Sequence, residues 1–195
     1  MSEAPITATV DIRSAMAPRL KEARDKLTDR TGLHLAMAMG VEAKVMNRFR
    51  QLSGIPNKLA GTSTKYWKKA ADATAVDSDD QAGYIRIPQA GIRLQYLGGT
   101  IVPKNKKWLT IPATAEAHGH TVDEVGGGYA NQKWLFGKGR KPYAIADKAT
   151  GKIYFWLTKK ATIKPFSPSV LPADSTMQKA ATEAASDYLN AEVGS

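Results

Sequence analysis

Apolar side chains recur at helical spacing in two long stretches of the chain. Between Thr31 and Leu52 they return every three or four residues, which predicts a helix with one buried face. Its apolar stripe consists of Leu35, Met39, Val41, Val45, Phe49 and Leu52. Gly54 and Pro56 follow, and both residue types interrupt helical backbone. An alanine-rich segment capped around Asp174 predicts a last helix to about Ala191.

The beginning of the chain repeats this pattern over a shorter length. A stripe of apolar residues predicts a helix that starts at Ser14. Its members are Met16, Leu20, Ala23 and Leu27. Residues 1–13 have no clear period and predict an extended arm. We therefore expect an arm at 1–13 and one α+β domain at 14–195.

β-Branched and aromatic residues between turn signals predict five short strands. These runs are Ala73–Asp77, Tyr84–Ile87, Trp134–Gly137, Tyr143–Ala146 and Ile153–Leu157. Thr162–Lys164 is expected to close the same sheet. Gly151 is expected to adopt a positive φ in the turn that joins the last two of these five strands. The predicted fold class is α+β: N-terminal helices, a central mainly antiparallel β-sheet with a protruding hairpin, and a C-terminal helix.

The protruding hairpin is predicted at residues 96–112. Thr100–Val102 and Trp108–Ile111 are β-prone runs, and a polar tip separates them. The tip begins with Pro103, and the tip residues expected to bind a partner or line a channel are Lys104, Asn105, Lys106 and Lys107. We therefore predict that the two runs pair with each other and present a cationic loop.

Glycines and prolines set the shape predicted for this segment. Gly98 and Gly99 are expected to adopt φ values that a side chain would forbid. Pro103 and Pro112 should restrict strand pairing to a short arm, because proline lacks a backbone N–H.

The charge of the chain is positive and unevenly distributed. Its 195 residues include 28 Lys and Arg against 18 Asp and Glu, a formal net charge of +10. Such a protein is attracted to polyanions. Residues 133–164 contain nine basic residues and one acid, Asp147, whereas the charged residues of the last helix are mainly acidic. A basic sheet and an acidic helix could pair within one copy or between copies.

The sequence offers little for covalent chemistry. Cysteine is absent, which excludes disulfides and thiolate ligands or nucleophiles. No serine lies in a Gly-x-Ser-x-Gly context. His118 and His120, with Asp123 and Glu124 nearby, are the one cluster with metal-ligand chemistry, but they lack an established third ligand. We expect no enzymatic activity, no cofactor and no metal.

Two further motifs have a functional and a structural interpretation. Gly137-Lys138-Gly139-Arg140-Lys141 resembles a phosphate-gripping loop but lacks the order of a P-loop, so we predict a basic loop in which Lys138, Arg140 and Lys141 contact a partner. Tyr66 and Trp67 stand among lysines, as in a stacking platform for single-stranded nucleic acid. Burial of Trp67 in the core is the prediction we favour. Asp77, Asp79 and Asp80 predict a turn and not a calcium loop.

The 98–112 segment also carries a resemblance to a known family. Gly-Gly-Thr-Ile-x-Pro-Lys-Asn followed by Lys-x-Leu-Thr-Ile-Pro resembles the central signature of the virion-morphogenesis or tail-completion (neck) proteins of tailed bacteriophages. A looser match, which includes Pro165 and Phe166, precedes the last helix. There Ile163-Lys164 stands where the family often has Ala-Arg.

The resemblance implies a structural protein of the virion neck. Such a protein forms a ring, expected to be a hexamer, between the head connector or adaptor and the tail terminator or tail tube. The ring surrounds the channel through which genomic DNA passes, without reading its sequence. Assembly is expected in the host bacterial cytoplasm, without a membrane, because no apolar run approaches the ~18 residues of a span. The alternative is a basic nucleic-acid-binding protein that acts free in the cytosol.

Overall fold

The computed structural model describes residues 29–194 except 57, 62 and 168. The predicted arm at 1–13 and the predicted helix from Ser14 lie outside these residues. The helices are α1 (Thr31–Ser53), α2 (Tyr66–Asp72), α3 (Ile92–Leu97) and α4 (Asp174–Gly194). The strands are β1 (Ala75–Ser78), β2 (Gly83–Arg86), β3 (Gly99–Ile101), β4 (Leu109–Pro112), β5 (Gln132–Phe136), β6 (Pro142–Asp147), β7 (Ile153–Thr158) and β8 (Ala161–Ile163).

The predicted α+β class is confirmed. The helices α1 and α2 precede the antiparallel sheets, and the C-terminal helix α4 packs against α1. The strands of the described residues form three antiparallel sheets: β1-β2, β3-β8 and the four-stranded β4-β7-β6-β5. The predicted single sheet is thus divided, and β8 pairs outside the four-stranded sheet.

The helical core is built on one face of α1. Val45, Phe49 and Leu52 are buried there, together with α2 and Val170. The predicted stripe is wrong at Leu35 and Met39, which are 37% and 54% exposed. The buried face includes Ala38, and at about 100° per residue Met39 points well away from it.

The predicted pairing within the 96–112 hairpin is also wrong. β3 pairs with β8, Gly99 opposite Ile163, while β4 pairs with β7, Leu109 opposite Thr158. The ladder that β3 and β4 form with β8 and β7 is longer than a ladder between β3 and β4 alone, which would also have to turn at a proline-containing tip. β7 is also rich in apolar residues, so pairing with it at the centre of a sheet buries more surface.

One face of the four-stranded sheet is covered by the connection from β4 to β5. Ala117 and Val125 of this connection pack against Ile145, Phe155 and Leu157 of the sheet. Trp108, just before β4, packs against the same cluster. The opposite face of the sheet carries the exposed side chains of Ile111 and Trp156, and we call it the outer face.

Candidate cationic interface

A loop projects from an interrupted β-ladder. Residues 102–108, seven positions, separate β3 from β4, whereas two residues, Lys159 and Lys160, separate their partner strands β7 and β8. The extra residues must therefore bulge away from the ladder. Asn105 and the three lysines of this loop are exposed. The predicted cationic loop is present, but as an insertion in a ladder and not as the tip of a hairpin.

The two-residue link opposite this loop is fixed by local hydrogen bonds. The Thr158 hydroxyl donates to the Lys160 carbonyl oxygen at 2.7 Å and accepts from the Lys160 N–H at 3.3 Å. The Lys159 Nζ lies 5.5 Å from the centre of the Trp108 ring, within range of a cation–π contact. Trp108 therefore connects the loop to the sheet core.

A third connection reaches the same end of the sheet. The turn at 137–141 joins β5 to β6, where Phe136 is opposite Pro142. β6 starts at the end at which β7 finishes, because Ala144 is opposite Trp156. Neighbouring strands lie about 4.8 Å apart, so the turn and the 102–108 loop are separated by roughly 10–14 Å.

We call these three connections, 102–108, 137–141 and 159–160, the cationic end. Together they contain eight basic residues and no acid. These are Lys104, Lys106, Lys107, Lys138, Arg140, Lys141, Lys159 and Lys160. The connections lie one to two Debye lengths apart at physiological salt, so their charges are largely screened from one another there and their potentials add mainly at low ionic strength. The ion pairs of lysine and arginine between described residues lie elsewhere, at Arg86–Asp77, Glu116–Lys152 and Lys179–Glu183.

One carboxylate lies within electrostatic range of the cationic end. The pKa of Asp123 is lowered mainly by hydrogen bonds from the Thr121 side chain and from its own backbone, and less by the charge of Lys106. Asp123 is exposed, and its bonds within the 121–124 turn account for most of this effect.

The backbone of the 137–141 turn is unusual. Arg140 has φ 55° and Gly139 has φ 73°, so two consecutive residues adopt left-handed conformations. Such a conformation costs of order 1–3 kcal/mol for a residue with a side chain. The Gly137 N–H donates to the Lys141 carbonyl oxygen at 3.0 Å and closes the turn. The turn therefore holds Arg140 outward at a cost in stability.

The structure brings together all seven residues that the sequence suggested for partner contact: 104–107, Lys138, Arg140 and Lys141. It adds Lys159 and Lys160, which the sequence placed only in a basic run. Their position depends on which strands pair, and the sequence contains no direct signal for that choice.

A row of side chains crosses the outer face of the sheet next to the cationic end. We call it the aromatic row after its two exposed aromatic residues, Trp156 and Tyr143. The strand register places Ile111, Trp156, Ala144 and Leu135 directly opposite one another on four strands. Trp156 is 44% exposed although it lies on the central strand β7, and Tyr143 is 43% exposed. Their rings stack at 6.3 Å with an angle of 25°.

The register also explains why the sequence missed this row. The register between β6 and β7 shifts between Ile145 and Ala146. As a result, two consecutive residues of β7, Tyr154 and Phe155, are both buried. Simple alternation along β7 therefore fails, and Trp156 could not be assigned to a face from the sequence.

The six residues predicted to have structural roles lie around the β3–β8 sheet and β4. Gly98 and Gly99 have the predicted positive φ values, 69° and 145°. A side chain at Gly98 would meet the Ile163 carbonyl oxygen and Pro165. The Phe166 ring packs edge-on to Trp67 at 5.2 Å. Pro103 lies in the projecting loop, and Pro112 is the last residue of β4.

The favoured structural interpretation of Trp67 is confirmed. Its ring stacks on Phe49 at 5.9 Å, and the Tyr66 hydroxyl donates to the Ala90 carbonyl oxygen at 3.1 Å. These contacts hold both rings against the helical core. These contacts support a structural role for the Tyr66–Trp67 pair.

The other chemical motifs are held in turns. Glu124 accepts a hydrogen bond from the Thr121 N–H at 2.7 Å and lies 3.8 Å from His120 Nδ1. Asp79 accepts from the N–H groups of Gln81 and Ala82 and from the Tyr84 hydroxyl, as the predicted turn requires. Within the described part of the chain, no three His, Asp or Glu side chains are grouped so as to hold a metal ion. No helix among those residues is both long enough and apolar enough to cross a bilayer.

Comparisons of the chain with protein-family models, with characterised proteins and with solved structures found no match. Its function must therefore be argued from its residues and their geometry.

Proposed function

We propose that this chain is a structural protein of the neck of a tailed bacteriophage. In this role it forms a ring at the head–tail junction around the DNA channel and makes or breaks no covalent bond. The cationic end is the observation that carries the proposal. The segment with the strongest resemblance to neck proteins, Gly98–Pro112, supplies its largest loop.

A ring needs two different complementary faces on each copy. The cationic end is one such face. A second is the exposed side of α4 that carries Glu183 and Asp187, where Lys179 pairs with Glu183 at 3.7 Å. Contact between opposite charges on successive copies would orient them head to tail. The hexameric state, the connector or adaptor on one side and the tail terminator or tube on the other follow from the resemblance.

Any part of the cationic end that faces the channel would contact DNA through phosphates. Lysines that neutralise phosphates release counterions, and this contact does not depend on base sequence. Such binding is weakened by salt, which lets DNA move through a ring without being read.

The direct test is to measure the copy number of the chain in purified particles by quantitative mass spectrometry. We expect a small fixed number, about six from cyclic symmetry and the resemblance. Absence from particles that contain the other structural proteins would overturn the proposal.

A matched pair of variants tests the role of the cationic end. The first carries Lys104→Gln, Lys106→Gln and Lys107→Gln. The control carries Lys44→Gln, Lys68→Gln and Lys69→Gln, three exposed lysines of α1 and α2 with the same total charge. Only the first should reduce the joining of tails to filled heads. Equal yields of joined particles from both variants would contradict the assignment.

The alternative function is a nucleic-acid-binding protein that acts free in the cytosol. The aromatic row beside the cationic end favours it. A protein with this function would be missing from purified particles, so the same mass-spectrometric measurement separates the two functions.

A further inference from the structure

The aromatic row contains two exposed aromatic rings beside each other on neighbouring strands of the sheet. Trp156 and Tyr143 stack on each other, with Ile111 on the far side of Trp156. Large aromatic side chains are usually placed where their surface is removed from water. On this face Trp156 leaves nearly half of its surface accessible.

Positive charge borders this surface on one side. Trp156 precedes Thr158 by two residues, or roughly 7 Å along the strand, and Lys159 and Lys160 follow at once. Tyr143 is two residues from Lys141 of the 137–141 turn. A ligand on the row would therefore present its anionic groups to the cationic end.

We propose that the aromatic row and the cationic end together bind single-stranded nucleic acid. Unpaired bases stack on Trp156 and Tyr143, and the phosphates that join them contact Lys141 and Lys160. Basic side chains beside stacking aromatic rings suit single strands of any sequence. The inference goes beyond the proposed neck function and does not depend on ring formation.

The geometry favours single strands over duplex DNA. Bases inside a duplex are already stacked on each other and do not expose their faces to a protein sheet. A duplex can meet the cationic end only through its phosphates. The aromatic row should thus contribute to the affinity for single strands alone.

The alternative occupant of the row is a second copy of this chain. Apolar side chains of another copy would cover Trp156 and Tyr143 without any need for a π-surface. Replacement of Trp156 by leucine separates the two cases, because leucine keeps apolar surface and removes stacking.

The test uses the full chain and a fluorescently labelled oligothymidylate, with a duplex of equal length as competitor. Affinity is measured by fluorescence anisotropy. Trp156→Leu should weaken single-strand binding about 5- to 100-fold, the range of one lost base–aromatic stack. Trp156→Phe should restore most of the affinity. Duplex binding should be the same in all variants.

Trp134 provides a matched control. It is 45% exposed on edge strand β5, but it lies opposite buried Ile145 and so belongs to the other face of the sheet. Trp134→Leu should leave the single-strand affinity unchanged. Circular dichroism verifies that each variant is folded, and Tyr143→Leu, which should also weaken single-strand binding, keeps the test informative if Trp156→Leu unfolds.

Two results would overturn the inference. One is equal loss of affinity in the Trp156 and Trp134 variants. The other is an unchanged affinity of the Trp156→Leu variant for the oligonucleotide, since an apolar contact with a second copy would survive this replacement and base stacking would not. As an independent measure, Lys141→Gln with Lys160→Gln should reduce the slope of log affinity against log salt by about 0.7 per lysine.

Discussion

At the scale of single residues, Gly98 is the position where the backbone tolerates least change. Its φ of 69° with ψ of −171° is a combination found almost only in glycine. An added Cβ would also lie 2.8 Å from the Ile163 carbonyl oxygen. We expect Gly98→Ala to lower the free energy of unfolding by about 3 kcal/mol or more, from backbone strain and this contact.

Gly139→Ala is the control for this prediction. Gly139 also has a positive φ, but no atom lies within 4 Å of a Cβ there. It should lose only about 1–2 kcal/mol, the ordinary cost of a left-handed residue. Urea unfolding measures both values. Equal losses would show that crowding around Gly98 is not what requires glycine.

The acid sensitivity of the β1–β2 hairpin depends on Asp79. The Tyr84 hydroxyl, and then the N–H groups of Gln81 and Ala82, hold the pKa of Asp79 below its ordinary value of 3.8. Its carboxylate therefore stabilises the fold above that value, and this contribution disappears as the pH falls through the lower folded-state pKa. We expect Tyr84→Phe to raise the pKa of Asp79 toward 3.8, measured by NMR titration of its carboxyl carbon. An unchanged pKa in this variant would mean that the hydroxyl does not stabilise the carboxylate.

At the scale of elements, the contact between α1 and α4 explains a glycine inside a helix. A Cβ at Gly40 would lie 2.8 Å from both the Ala180 carbonyl oxygen and the Ala184 Cβ. Gly40→Ala would add about 1 kcal/mol of helix propensity at a solvent-exposed site. Here we expect net destabilisation, because the added methyl group forces the two helices apart. A variant that is more stable to urea than the wild type would contradict this packing.

Elements were easier to predict from the sequence than their partners. The apolar period predicts α1, and the capped alanine-rich segment predicts α4, with nearly their observed bounds, and the turn residues separate β5, β6 and β7 correctly. The pairing of β3 and β4 was not predictable in this way, because their true partners lie about 40–65 residues later in the chain. Local sequence favours the hairpin, and the longer ladder with β7 and β8 overrides it.

The candidate site shows the same division. The lysines of the 102–108 loop and of the 137–141 turn were recognisable as basic turns. Their convergence was not, since it requires the strand order β4-β7-β6-β5. Trp156 was assigned to a strand but not to a face, because the irregular register of β6 and β7 breaks the alternation.

At the scale of the whole molecule, the cationic end concentrates positive charge that the fold does not need. Like charges at this spacing repel each other and destabilise the compact state. Neutralising Lys104, Lys106 and Lys107 with glutamine should therefore leave the melting temperature unchanged or raise it. The gain should be largest at low ionic strength, where screening is weakest.

Thermal unfolding at low and high salt measures this effect. The Lys44, Lys68 and Lys69 control variant removes equal charge from the helical half and should show a smaller gain. A lower melting temperature for the first variant would mean that the loop lysines stabilise the fold and are not reserved for a partner.

The most direct test of the account is a cryo-EM map of the neck in intact particles. It should contain a closed ring of this chain in which the cationic end, formed by 102–108, 137–141 and 159–160, faces the DNA channel or an adjacent ring. A neck without this chain, or a ring whose cationic end points into solvent, would contradict it.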